Sequence, residues 1–214
     1  MAGPSPRYKR EKRKPRPLDA TRLEELALSY VARFSTSAGK LRRYLERKLR
    51  ERGWDAGDGD GHDDPLGDPL GDPLGEGGPD LDALIARYVE RGYVDDAAYA
   101  KAKAGDLLRR GYGGRRVRQA LGQAGIGHSV AERVAPGALA AREAALHMAR
   151  KRRTGPYAME PVERDIREKQ VAAMLRAGHS FDIVRAVLDM RSEDEAREWL
   201  AEAAEDEDTD RWQD

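Results

Sequence analysis

One group of apolar residues returns in the same order further along this chain, and its spacing is that of an α-helix. The offset between the two sets is 54 positions throughout. The sets are Val117, Leu121, Val130 and Val134, and Val171, Leu175, Val184 and Leu188. Because residues four apart share one helix face, each set marks two successive amphipathic helices. No run shows sustained period-two alternation with β-branched residues, so the pattern favours helices over a sheet.

A weaker copy of this pattern precedes the other two. Leu41 and Leu45 resemble the first pair of each set, and Ile85 and Val89 resemble the second pair, once an insertion of 31 residues is allowed. Each unit is then predicted to contain a longer helix, a basic amphipathic helix and a short helix. Units of this size bury their apolar faces by stacking on neighbours. We predict an all-α fold, a tandem repeat of three three-helix units that form an elongated, curved stack.

The predicted chain has five parts, which differ in charge and periodicity. They are a basic disordered tail over 1–19, repeat 1 over 20–92, repeat 2 over 93–136, repeat 3 over 137–191, and an acidic, partly helical C-terminal tail over 192–214. Residues 1–17 carry seven Lys or Arg and one Glu, whereas residues 193–214 carry eleven acids and two arginines. Because like charges repel and little apolar surface is available, both tails are interpreted as disordered.

The insertion in repeat 1, at about 54–80, contains the sequence DPLG three times in tandem. Gly and Pro at this density break helices and strands, which indicates a flexible segment. Asp58-x-Asp60 begins like a calcium-binding loop. Position five is His62, however, and Pro69 stands where the bidentate Glu belongs, so the flexible interpretation is favoured.

Capping signals place the helices. Thr21-x-x-Glu24 predicts the first start, a second helix starts near Ser37 and ends at Gly53, and a third runs from Asp80 to Gly92. Further helices are predicted over 95–110, 114–124, 128–135, 138–152, 161–177 and 180–190. Ser192-x-x-Glu195 opens a final one.

The sequence holds no recognisable catalytic, cofactor or metal constellation. The chain has no cysteine, and its histidines are scattered without partners at ligand spacing. The Gly111–Gly114 turn either binds phosphate at the start of a helix or simply separates two helices, and the second reading is simpler. No apolar run suits a signal peptide or a membrane helix, so a soluble cytoplasmic protein is expected. We also expect a monomer.

Basic clusters recur at similar places in successive units, and no acid occurs between 107 and 131 to neutralise those in repeat 2. A charged solvent face is the plain interpretation. A basic stripe for an acidic protein groove or a phosphate backbone is the functional one. The candidate partner-binding residues are Arg42, Arg43, Arg47, Arg109, Arg110, Tyr112, Arg115, Arg116, Arg118, Arg150, Lys151, Arg152 and Arg153.

The central segment resembles the RecX family of regulatory proteins. The matching elements, in order, are Gly92-Tyr93-Val94-Asp95-Asp96, Arg110-Gly111-Tyr112-Gly113, Arg115-Arg116-Val117-Arg118-Gln119 and Gly125-Ile126. The resemblance covers about 21–135 clearly and 136–190 loosely. It implies a tandem of three-helix units, which agrees with the repeat.

The resemblance also implies a function. Members of the family bind the RecA recombinase filament and usually restrain it, in homologous recombination, DNA repair and the SOS response. We therefore expect a regulator without catalytic activity, whose basic residues contact an acidic surface of RecA or DNA phosphate within the filament groove. The alternatives are a stand-alone, non-specific DNA-binding helical protein and a helical scaffold for an unrelated protein. Few base-reading side chains lie on the short third helices, which argues against sequence-specific DNA recognition.

Overall fold

The computed structural model describes residues 16–55, 78–160 and 162–211. The α-helices in these residues are α1 (Ala20–Arg33), α2 (Ala38–Arg52), α3 (Leu81–Glu90), α4 (Asp96–Arg109), α5 (Gly114–Gln123), α6 (His128–Arg133), α7 (Ala138–Arg152), α8 (Arg164–Arg176), α9 (Phe181–Asp189) and α10 (Glu193–Arg211). A 3₁₀ turn spans Gly155–Tyr157, and Leu18 and Trp54 form an isolated bridge. The predicted all-α class is confirmed. The calcium-like sequence, the DPLG repeats and residues 1–15 lie outside the described residues.

The described residues group into two compact units. One contains residues 16–34, 41–55 and 78–93, and the other contains 35–40, 94–160 and 162–211. The first six residues of the second unit therefore precede most of the first unit in the sequence. The predicted boundaries of the three repeats remain a prediction.

The first unit has a leucine-rich core contributed by α1, α2 and α3. Leu41, Leu45 and Leu49 of α2 are buried, as the four-residue spacing predicts. The Tyr88 hydroxyl of α3 donates a hydrogen bond to the Glu24 carbonyl of α1 at 3.1 Å. On the same pair of helices, Arg87 and Glu24 form an ion pair.

The second unit has two apolar clusters. One lies among α4, α5 and α6 and includes Val117 and Leu121, both fully buried. The other lies among α7, α8, α9 and α10 and includes Val184 and Leu188. Tyr112 packs against both clusters. The apolar positions of the sequence repeat therefore face these two clusters.

Helix starts follow the predicted caps with one correction. Ser37, Asp80 and Ser192 each accept a hydrogen bond from the backbone N–H three residues later, as N-cap side chains do. The first helix instead starts at Ala20, with Asp19 accepting from the Arg22 N–H at 2.8 Å. The predicted capping box at Thr21 is wrong by two residues, because the carboxylate just upstream takes the cap.

The acidic C-terminal segment is more ordered than its charge predicts. Residues Glu193–Arg211 form α10, so the helix predicted to open at Ser192 is present and the disordered interpretation of the acidic block is wrong over these residues. Ala196 and Ala203 are buried, and the Arg142 guanidinium of α7 lies 4.7 Å from the Trp199 ring centroid. Glu207 also accepts from the Leu139 N–H at the start of α7, at 2.9 Å. Contacts with α7 thus offset the repulsion among the acids.

Two glycine turns meet within the second unit. Gly113 donates its N–H to Ala177 O at 3.0 Å, and Arg115 donates to Gly178 O at 3.1 Å. A Cβ on either Gly113 or Gly178 would overlap the facing backbone. Of the two predicted roles of the Gly111–Gly114 turn, the structure favours helix separation over phosphate binding, because two N–H donors at the start of α5 already bind carbonyls.

None of the described helices combines the length and apolar character of a bilayer span.

His179 lies at the same junction, with only 1% of its surface exposed. Its Nε2 is 3.1 Å from Gly111 O, a contact that requires Nε2 to carry the proton, and Nδ1 has no hydrogen-bond partner among the described residues. Burial lowers the pKa of His179 below its ordinary value, and the bond to Gly111 opposes this shift only in part. At neutral pH the folded protein therefore holds His179 in its neutral form.

Acidification is expected to destabilise the protein through this histidine. Between the lowered pKa of folded His179 and the ordinary histidine pKa of about 6.5, the unfolded chain binds a proton that the folded chain does not, so the free energy of unfolding falls as the pH drops through this interval. Urea unfolding at pH 7.5 and 5.5 measures this loss. His179→Gln, which cannot titrate, should lose less stability across the same interval. An identical loss in both proteins would contradict the assignment.

Candidate partner-binding surface

Four cationic side chains converge on one groove of the second unit. Lys40, Lys103, Arg110 and Arg116 line it together with Tyr99 and Tyr112, and its volume is about 330 Å³. None of the lining residues is acidic. Among these four cations, Arg110 forms an ion pair with Asp106, and its Nη1 lies 3.5 Å from Asp106 Oδ2. Such a groove attracts anions, because cations gathered in one concave surface reinforce each other's potential.

Lys40 reaches this groove through hydrogen bonds that fix the start of α2. The Ser37 hydroxyl donates to the Ala124 carbonyl at 2.6 Å, and the Ala38 N–H donates to Asp96 Oδ1 at 2.8 Å. Gly39 permits this approach, since an added Cβ would lie 2.8 Å from Ala124 O. The segment 35–40 is thereby held against α4 and the end of α5.

Both tyrosines of the groove contact a cation. The Lys40 ammonium lies 5.2 Å from the Tyr99 ring centroid, and the Arg110 guanidinium lies 5.5 Å from that of Tyr112. These distances are within the range of cation–π attraction. The rings therefore help to hold the two cations in the groove, and they place aromatic surface beside positive charge.

The first turns of α5 carry the predicted arginines outward. Arg115, Arg116 and Arg118 are exposed, whereas Val117 between them is fully buried. Arg116 donates to Gln119 Oε1 at 2.6 Å. Arg115 and Arg118 form no ion pair with any residue that the structure describes. Arg115 and Arg116 also line a neighbouring groove with Arg176, so the positive charge continues from α5 to the end of α8.

Other predicted residues are neutralised by acids, contrary to the expectation of free basic clusters. In the first unit, Arg42 pairs with Asp82, and Arg47 pairs with Glu51 at 3.6 Å. The hydrogen bond from Lys48 is the main cause that lowers the pKa of Glu51. Arg43 is exposed on the same helix. The pairing reduces the net positive charge that α2 can offer a partner.

The predicted residues of α4 and α7 lie apart from the groove. Arg109 lines a different cavity with His147 and Glu143. Arg150 pairs with Glu193 at 3.3 Å and lies 4.8 Å from the Tyr157 ring centroid. Lys151, Arg152 and Arg153 are exposed at the end of α7, where Arg153 adopts φ 54°. Cations at a helix C-terminus also stabilise the helix dipole, which is a structural role for these three.

Sequence reasoning did not assign Lys40, Lys103 or Tyr99 to the site. For Tyr99 and Lys103 a signal was present, because they continue with Leu107 at four-residue spacing along one face of α4. For Lys40 no local signal exists, since a segment distant in sequence carries it into the groove. Within residues 16–55, 78–160 and 162–211, no three His, Cys, Asp or Glu side chains are grouped as a metal site requires.

Comparisons with known proteins agree on one family. The family described as "RecX, second three-helix domain" matches residues 95–134, which include α4, α5 and α6. The regulatory protein RecX of Myxococcus xanthus is 32% identical over 195 residues, covering 87% of this chain and 95% of that protein. The regulatory protein RecX of Vibrio parahaemolyticus is 34% identical over 120 residues, covering 54% and 73% respectively. The crystal structure of RecX from Lactobacillus salivarius aligns with a TM-score of 0.53 at 17% identity, covering 78% of this chain and 92% of the other.

Proposed function

Because the chain belongs to the RecX family, whose members are regulatory proteins, we propose that it binds the RecA recombinase filament and restrains recombination, ATP hydrolysis and co-protease activity. The proposed role is binding without catalysis, by a monomer in the cytoplasm. The Myxococcus xanthus relative, which aligns over 87% of this chain, carries the regulatory name, and this supports the class of function.

The observation that carries the proposal is the exposed arginine surface of α5. Val117 and Leu121 anchor α5 through its buried face, and Arg115 and Arg118 on its exposed face pair with no described acid. Binding through exposed cations without local partners costs little free energy, because no internal ion pair has to break first. They suit an acidic surface of the recombinase or DNA phosphate within the filament.

RecA's ATP hydrolysis on single-stranded DNA tests the proposal when this protein is added in substoichiometric amounts. We expect hydrolysis to fall, since one regulator on a filament affects many RecA subunits. DNA binding by the protein alone is measured in parallel at two salt concentrations. Unchanged hydrolysis together with strong, salt-sensitive DNA binding would instead support the stand-alone DNA-binding alternative.

A further inference from the structure

The basic groove of the second unit combines two features that a protein-docking surface does not require together. Its four cations lie beside two tyrosine rings, and no acid lines it. Aromatic rings next to a positive groove are typical of sites that stack a nucleotide base and hold its phosphate. Its volume of about 330 Å³ is also within the range of small-ligand sites.

We propose that this groove binds a phosphorylated nucleotide. The phosphate lies among Lys40, Lys103, Arg110 and Arg116, and the base packs against Tyr99 or Tyr112. The nucleotide is either free or one residue of a single strand, since both present the same base and phosphate. Duplex DNA fits less well, because its bases are stacked on each other and are not available to the rings.

Part of the arrangement is built before any ligand arrives. Ser37 and Ala38 fix the backbone next to Lys40 through buried and half-buried hydrogen bonds, and Tyr99 packs against the apolar cluster of α4, α5 and α6. Lys103 is half-buried on α4, the helix that also carries Tyr99. A site whose side chains are already held in place loses less entropy on binding than a flexible one.

Direct binding is measured with three probes and no recombinase, so the outcome does not depend on the proposed function. The probes are ATP, a 5′-phosphorylated oligothymidylate and inorganic tripolyphosphate. Lys103→Glu should weaken binding of the nucleotide probe by at least about tenfold, which corresponds to ~1.4 kcal/mol. Lys101→Glu is the matched control, because Lys101 is exposed on the same helix and does not line the groove. It should change the affinity less than about twofold.

Tyr99→Leu separates base stacking from charge. It should weaken binding of the nucleotide probe while leaving tripolyphosphate unchanged, because only the nucleotide has a base. Circular dichroism and thermal unfolding check that each variant folds. Binding of ATP alone identifies a free nucleotide, and binding of the oligonucleotide alone identifies a strand; either supports the site. No binding of either nucleotide, equal effects of Lys103→Glu and Lys101→Glu, or binding of a polyglutamate peptide in their place would overturn it.

Discussion

Reversing Arg115, Arg116 and Arg118 to glutamate is expected to abolish binding to the RecA–DNA filament while leaving the helix content unchanged. All three side chains are exposed and form no ion pair with described residues, so their loss breaks no ion pair inside the fold. If each contact with the filament contributes ~1 kcal/mol, the variant binds at least about 100-fold more weakly. Fluorescence anisotropy of the labelled protein on preassembled filaments measures the change.

A second triple variant controls for the altered net charge. Arg164, Arg185 and Arg197 are exposed on α8, α9 and α10, and reversing them to glutamate changes the charge equally. They are outside the proposed contact set, so this variant should bind filaments within about threefold of the wild type. Equal weakening in both variants would show that only total charge matters. Full binding by the α5 variant would show that another surface of the protein contacts the filament.

Replacing Gly178 by alanine is expected to destabilise the second unit strongly. The residue has φ 96°, which a side chain disfavours by ~1–2 kcal/mol, and its added Cβ would overlap the backbone of Arg116 at the start of α5. Overpacking of this kind costs about 1–3 kcal/mol more. We expect a loss of ~3 kcal/mol in the free energy of unfolding, measured by urea denaturation.

Gly122→Ala is the matched control, because it makes the same chemical change in a different environment. Gly122 lies in α5, is exposed, and has no atom within 4 Å of an added Cβ. Alanine there should stabilise the protein by ~0.5–1 kcal/mol, since glycine is the poorer helix former. Similar effects at Gly122 and Gly178 would contradict the close approach of the two turns.

Helix positions could be predicted from the sequence because their signals are local. An N-cap side chain such as Asp80 or Ser192 contacts a backbone N–H three residues away, and Gly53 and Gly92 end their helices with positive φ. Both kinds of signal act within one turn of helix. The predicted 138–152 helix accordingly matches α7 in both bounds.

Features that depend on distant partners could not be predicted in the same way. The acids of α10 indicate disorder when read alone, although Ser192-x-x-Glu195 marks a helix start. Contacts with Arg142 and Leu139 of α7 explain why this acidic helix is ordered. The groove shows the same limit, since Lys40 is 63 residues from Lys103 in sequence. Three of its lining residues, Arg110, Tyr112 and Arg116, were nevertheless among the partner-binding residues predicted from the sequence.

We propose that this chain binds the RecA filament more tightly than it binds DNA alone. The most direct test compares the affinity of the labelled protein for RecA filaments, assembled on single-stranded DNA with a slowly hydrolysed ATP analogue, with its affinity for the same DNA without RecA. We predict saturable binding to filaments that is at least about tenfold tighter than binding to bare DNA. Equal affinity for both, or binding to bare DNA alone, would contradict it.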